Sequence, residues 1–269
     1  MIFIIDNKPM TQHKLITLTV VETKQITPNM QRITLTGPLQ ESFPLGCEGS
    51  YIKLAFDQNG GTDLSKLKPE EAPRLRTYTV RHYHPEKNTI DIDMVRHNSD
   101  NHEQEHGLAG RWAISVRVGQ TIQVRGPAEI KPVNTASPWF FFVADMTALP
   151  ALSATLAKLP EHAVGYAYVQ VAQREDIQQL KVPSGVKLQW LTEQEPLLAT
   201  IKSAKWLEGI PYVWCACEFE NMRALRDFFI RENNLDRNNM YVSSYWKKGV
   251  TEEGHKVMKR QDAAELSAS

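Results

Sequence analysis

The stretch Trp139-Phe140-Phe141-Phe142-Val143-Ala144-Asp145-Met146-Thr147-Ala148-Leu149-Pro150-Ala151 separates two kinds of chain. Trp139 to Ala144 is apolar without alternation, as a strand covered on both faces must be, and it is far shorter than the roughly 20 residues that cross a bilayer. A polar turn follows, and Leu149, Leu152, Leu156 and Leu159 then recur at helical spacing, with Pro150 in the first turn of a predicted helix over 147–159. Strand, short turn and helix start is where an open α/β sheet offers a ligand site, at the carboxyl ends of its strands. The stretch has no Gly-x-Gly-x-x-Gly run, so a plain capped helix is its structural alternative, and Asp145, Thr147 and Ala148 become candidate binding residues only in company with other motifs.

Downstream, Val164 to Val171, Val186 to Leu191, Tyr212 to Cys215 and Tyr241 to Tyr245 are strand candidates, and Asn221 to Asn233 carries Met222, Leu225, Phe228 and Phe229 on one helical face. Strands alternating with helices imply a parallel sheet with crossover helices. Past Ala263 the tail is expected to fray. Upstream the rhythm differs. Up to Arg125 short alternating segments are broken by turn residues, the pattern of an antiparallel barrel or sandwich. Its candidate strands are Lys14 to Thr23, Gln31 to Thr36, Ser50 to Phe56, Arg76 to Tyr83 and Gln120 to Arg125, the last ended by Gly126-Pro127. Ile90, Ile92 and Met94 alternate with Asp91, Asp93 and Val95 on a strand expected to pair with Arg76 to Tyr83. A boundary falls near Pro132 to Pro138.

With 31 basic and 31 acidic side chains the formal net charge is zero. No overall field favours nucleic acid or a membrane surface, so any anion site must be a local cluster of bases. Cys47, Cys215 and Cys217 are too few and too unevenly placed for a disulfide framework or a four-ligand zinc site. The N-terminus lacks the features of a secretory signal, and a cytoplasmic location is expected.

Arg76-Thr77-Tyr78-Thr79 carries the sharpest chemistry. Strand alternation puts Arg76 and Tyr78 on one face, a guanidinium for a phosphate beside a phenol for a planar ring, with Thr77 and Thr79 offering hydroxyls. That is an R-x-Y-T flavin motif; a plain Thr- and Tyr-rich strand is its structural alternative. In His106-Gly107-Leu108-Ala109-Gly110-Arg111-Trp112-Ala113 small residues lead into a short helix, where backbone amides suit a pyrophosphate and so FAD rather than FMN. The alternative is a loop closing under a buried Trp112. His97, His102 and His106 accompany Asp100, Glu103 and Glu105 without a recognised ligand spacing, so no metal site is assigned, and His97 is expected to meet the cofactor instead.

In this order the motifs resemble the siderophore-interacting protein family, FAD-dependent ferric-siderophore reductases related to the ferredoxin–NADP reductase fold. Arg76 to Thr79 matches the family's flavin strand, Ala109 to Ala113 resembles its pyrophosphate turn, and Ala144 to Ala151 resembles G-D-E-T-A-L-P-A. Trp214-Cys215-Ala216-Cys217-Glu218 resembles W-x-A-G-E, and Tyr245-Trp246-Lys247-Lys248-Gly249 resembles Y-W-R-x-G. The resemblance implies a two-domain β-barrel plus α/β fold: an antiparallel FAD-binding barrel over 10–133, a parallel-sheet NAD(P)-binding-like domain over 137–249, and a C-terminal helix and tail over 250–269. It implies FAD held by Arg76, Thr77, Tyr78, Thr79, Val95, His97, Ala109, Gly110, Trp112, Ala113, Asp145, Thr147, Ala148, Tyr245 and Trp246.

A basic triad for an anionic ferric siderophore is implied at Lys53, Lys131 and Lys247, with Lys248 beside it; lysines keep the charge of the family's arginines but lose the bidentate fork. Flavin chemistry needs no acid–base residue here, so none is assigned as catalytic. Ala144 and Met146 replace Gly and Glu of the family's turn, and Cys217 replaces Gly, which is expected to narrow the nucleotide groove. Cys215 and Cys217 face one side of a strand, a redox pair or two inert buried thiols. Arg174, Glu175 and Asp176 follow a strand where the ribose end of a dinucleotide would lie; acid favours NADH and base favours NADPH, so NADH, NADPH and ferredoxin all stand as donors. The rival readings are a ferredoxin or flavin reductase of the same fold and a non-catalytic ferric-chelate carrier.

Overall fold

The computed structural model describes residues 15–96, 107–129 and 131–268. The first part is a seven-stranded antiparallel sheet of β1 (Ile16–Thr27), β2 (Met30–Thr36), β3 (Tyr51–Phe56), β4 (Arg74–Thr79), β5 (His82–His84), β6 (Thr89–Val95) and β7 (Thr121–Ala128), with helix α1 (Leu108–Ser115) before β7. Its order is β4-β3-β7-β1-β2-β6-β5, and it curls so that β4 comes back against β6. Leu18, Ile33, Leu54, Phe56, Ile92 and Val124 fill the interior, and Trp112 of α1 meets Phe56 edge to face at 6.0 Å.

Three expectations change. Arg76 to Tyr83 is not one strand paired with β6. The Val80 N–H donates to Ser50 O and the Arg81 N–H to Asp91 O, so the chain changes partner there: β4 pairs with β3 and β5 with β6. The last barrel strand continues through Gly126-Pro127 to Ala128, because the register opposite Tyr51–Lys53 shifts there. Gly126, at φ +117°, makes this shift possible; a Cβ on it would lie 3.0 Å from Tyr51 O. The C-terminal tail does not fray at Ala263 but stays helical to Ala268.

The second part is the expected parallel sheet, β8 (Phe140–Asp145), β9 (Val164–Val171), β10 (Gly185–Thr192), β11 (Tyr212–Glu218) and β12 (Met240–Trp246), in the order β10-β9-β8-β11-β12. Helices α2 (Leu149–Ala157), α3 (Leu197–Lys202) and α4 (Phe219–Asp227) connect its strands, and a π-helical turn over Phe228–Glu232 extends α4. Helix α5 (Glu252–Ala268) closes the chain. Asp262 on it accepts a fork of hydrogen bonds from Arg226 of α4 at 2.6 and 2.8 Å, and Arg223 adds a contact at 3.3 Å, which is why the tail is ordered.

A buried carboxylate joins the two parts. Asp176, after β9, accepts Thr27 Oγ1 at 2.7 Å, the Asn29 N–H at 2.8 Å and Asn29 Nδ2 at 2.7 Å, all from the β1–β2 turn. Ile26, Met30 and Val95 of the barrel pack into the core of the α/β part.

Candidate functional site

Arg76 and Tyr78 share one face of β4, as alternation requires, while Thr77 is exposed and Thr79 buried. The Arg76 guanidinium is held by the first turn of α5: Nε lies 3.2 Å from Glu252 Oε2, Nη1 donates to Glu253 Oε1 at 2.7 Å, and Nη2 to Glu253 Oε2 at 3.3 Å. Tyr78 packs on the barrel core, and burial together with the Glu252 carboxylate raises its phenol above the ordinary value.

Beside this pair lies a basic cluster. Lys53 on β3 stands opposite Thr77 of β4 and opposite Arg125 of β7. Its ammonium is pushed below its ordinary value by burial and by the nearby charges of Lys256 and Arg125, with Glu252 opposing. Arg125 Nε is buried with no hydrogen-bond partner. Lys256, one helical turn after Glu252 on α5, pairs with it at 2.9 Å. Lys53 stands in the sequence reading, whereas Arg125 and Lys256 do not. The Lys53–Arg125 register could have exposed the first; the docking of α5, which brings the second, has no local signal.

The other three expected lysines are elsewhere engaged or elsewhere placed. Lys247 is bridged to Glu218 at 3.4 Å and Glu220 at 3.0 Å, and these partners raise its pKa although partial burial opposes them. Lys248 is exposed, and its backbone N–H donates to Glu218 Oε1 at 3.2 Å. Lys131 donates to the Met240 carbonyl at 3.4 Å, at the start of β12, whereas Trp246 and Lys247 lie at its far end, about 20 Å of strand away.

In α1, Gly107 is the N-cap, and a Cβ at Gly107 or Gly110 would meet nothing within 4 Å, so the approach to its first turn is open. First-turn amides have no acceptor within their own helix. Ala109, Trp112 and Ala113 turn their side chains into the barrel core, which leaves only their backbone for a phosphate. His97 and the acidic and histidine residues around His102 and His106 lie outside the described residues.

At the carboxyl edge of the parallel sheet Asp145 is the hub. Its Oδ2 accepts the Trp246 indole N–H at 2.7 Å; its Oδ1 accepts Thr147 Oγ1 at 2.6 Å and the N–H groups of Thr147 and Ala148 at 2.9 and 3.3 Å. Burial nevertheless raises the Asp145 pKa. Tyr245 packs against the α/β core beside this hub, its phenol raised first by burial and then by Tyr241. Met146 fills the gap between the ends of β8 and β9, its sulfur accepting the Ala172 N–H at 3.4 Å. Cys215 and Cys217 are fully buried on the α4 side of the sheet, so Cys217 does not line the carboxyl edge; contact with the Cys215 sulfur and burial raise its thiol well above the usual value. Just beyond β9 and β10 a cavity of about 450 Å³ is lined by Ala172, Gln173, Arg174, Glu175, Thr192, Gln194 and Glu195. Asp176 does not reach it, being taken up by Thr27 and Asn29.

These residues fit a flavin dinucleotide: a cationic fork and a phenol on one strand, an unobstructed helix start, and a buried arginine nitrogen without a partner beside them. An antiparallel barrel carrying that set, joined to a parallel sheet with a cavity at its carboxyl edge, defines a flavoprotein of the reductase architecture. The profile of the siderophore-interacting FAD-binding domain matches residues 19–130, and that of the siderophore-interacting protein matches 137–249. The chain belongs to the siderophore-interacting protein family. It is 31% identical to the ferric vibriobactin reductase ViuB of Vibrio cholerae over 254 residues, 88% of this chain and 91% of that one. The siderophore-interacting protein SipS from Aeromonas hydrophila superposes with a TM-score of 0.78 at 31% identity, covering 92% of this chain and 99% of that structure. A ferredoxin–NADP⁺ reductase from Plasmodium falciparum, at 11% identity, a TM-score of 0.63 and coverage of 86% and 97%, shares the fold.

Proposed function

We propose that the protein reduces ferric siderophores with FAD and so releases the iron as Fe(II). The observation that carries this is the cluster of Lys53, Arg125 and Lys256 beside the flavin strand of a chain with no net charge. Ferric iron is hard and tightly held by oxygen donors, and its catecholate-type complexes are anions, which such a cluster attracts. Bound FAD would supply the conversion between two-electron donors and the one-electron reduction of iron. Arg76 and the α1 amides would hold its phosphates and Tyr78 its ring, while Asp145 orients Trp246 and the β8 turn. Lys53, Arg125 and Lys256 would hold the chelate. Of the sequence-derived substrate lysines, Lys53 belongs to this set, whereas Lys247 is engaged by Glu218 and Glu220 and Lys131 by the Met240 carbonyl.

NAD(P)H is the donor this reading favours, its adenosine end in the cavity after β9 and β10. Arg174 is the only base lining that cavity and Glu175 and Glu195 are its acids, which favours NADH over NADPH. Glu195 is partly committed, accepting the Thr192 N–H at 2.8 Å and its hydroxyl at 3.0 Å. No helix of the described residues is long and apolar enough to cross a membrane, and three buried free thiols suit the reducing cytoplasm in which this reaction would run.

Stopped-flow reduction of the FAD-loaded protein by NADH, NADPH and reduced ferredoxin, followed by mixing with a ferric tris-catecholate, tests the whole reading. Flavin reduction by NADH and reoxidation by the chelate with Fe(II) release are expected. Reduction by ferredoxin alone would move the donor assignment. A protein that binds the chelate but no flavin would be a carrier, and one that is reduced but inert to chelates would be a reductase of another acceptor.

A further inference from the structure

On the outer wall of the barrel three side chains that take no part in the site above converge on one point. β5 is an edge strand whose central residue, Tyr83, is buried in the core, so His82 and His84 both face outward. Asp91 of β6 stands directly opposite His82 in the register. His82 Nδ1 lies 3.0 Å and His84 Nε2 3.3 Å from the same oxygen, Asp91 Oδ2, and the three ligand atoms all lie within 4.8 Å of one another. The geometry points to a binding site for a divalent first-row transition ion at His82, His84 and Asp91, with its remaining coordination positions open to water.

The donor set has the right chemistry. Two imidazoles and one carboxylate suit ions of borderline softness such as Zn²⁺, Co²⁺ or Fe²⁺. At metal–ligand lengths near 2.1 Å, neighbouring ligand atoms stand about 3.0–3.4 Å apart in octahedral or tetrahedral sites. Both distances to Asp91 already fall there, and rotation of two half-exposed rings closes the remaining gap. The supporting contacts also fit. Thr34 Oγ1 donates to Asp91 Oδ1 at 2.7 Å, which turns Oδ2 toward the imidazoles. His84 Nδ1 lies 4.0 Å from Glu86 Oε1, a carboxylate behind a ligating histidine. Arg32 approaches Asp91 to 3.9 Å, but its Nε and Nη2 are committed to Asp93 at 2.7 and 2.8 Å, and Arg81 also faces Asp93 at 3.6 Å. The two arginines and two aspartates balance, so the surroundings of the two imidazoles carry no net positive charge to repel a dication.

The test uses the tag-free, FAD-loaded protein titrated with Co²⁺ and followed by its d–d absorption, with Zn²⁺ affinity from calorimetry. One ion per chain is expected at this site. His82→Ala and His84→Ala should each weaken it about 10- to 100-fold, and the double variant should abolish it while FAD content stays unchanged. His162→Ala, at an exposed loop histidine, should leave it unaltered. Co²⁺ and Zn²⁺ binding to the double variant with full wild-type affinity and stoichiometry, or no binding by the wild type, overturns the assignment whatever the protein's activity on siderophores.

Discussion

Arg76 Nη1 donates to Glu253 Oε1 at 2.7 Å, across 177 residues of chain. The base proposed to hold the phosphate of FAD is therefore partnered by α5, and on that proposal the carboxylates and the phosphate compete for it. Glu252→Gln with Glu253→Gln should raise FAD affinity about fivefold, the effect of removing a partly exposed ion pair, while Arg76→Ala should lower it by more than tenfold. Fluorescence titration of apoprotein with FAD reads both. Weaker binding by the double glutamine variant would mean that the carboxylates position the guanidinium instead of competing for it.

Lys53→Ala and Lys256→Ala should each weaken binding of a trianionic ferric tris-catecholate by about fivefold at low salt, as expected for a charge some ångströms away in a largely aqueous setting. The salt dependence should flatten in the double variant, since attraction between exposed charges decays over a screening length of about 10 Å at 0.1 M. A neutral ferric hydroxamate should respond much less. Quenching titrations at several ionic strengths check this, and identical salt slopes in wild type and double variant would remove the cluster from the substrate site.

The Asp176 carboxylate satisfies three donors from the β1–β2 turn. Asp176→Ala strands them in a buried junction and should cost about 3 kcal/mol in urea unfolding. Asp227→Ala, on the exposed side of α4, should stay within about 0.5 kcal/mol of wild type.

His255, on α5, contacts Ser244 Oγ at 2.8 Å, and burial lowers its pKa from 6.5 to about 4. The folded protein then binds fewer protons than the unfolded chain between these values, so stability present above pH 6.5 is lost as pH falls toward 4. The loss is about 3 kcal/mol over that window. His255→Gln should remove this share of the acid sensitivity, which denaturant melts from pH 7 to 4 would reveal as a flatter profile than that of wild type.

Much of the architecture is legible locally. Phe140 to Ala144 reads as a doubly covered strand because nothing polar interrupts it, and the shared face of Arg76 and Tyr78 follows from a two-residue period. What escapes depends on distant partners. The switch at Val80 and Arg81 requires knowing that Ser50 and Asp91 lie on opposite sides of the chain. Asp176 looks like a ribose ligand until Thr27 and Asn29 claim it, and Lys247 looks free until Glu218 and Glu220 fold beside it. The His82–His84 pair does not read as a complete ligand set because its third member, Asp91, arrives through strand register.

Because α5 supplies the groups that lie near Arg76 and Lys53, this part of the molecule is assembled from segments 177 residues apart. At about 5–20 residues per second, a ribosome that has just added Arg76 needs roughly 10–35 s more to reach Glu253. Throughout that interval the guanidinium of Arg76 is without its carboxylate partners. Arg76 and Lys53 therefore gain their partners on α5 only after the whole parallel sheet between them has been made.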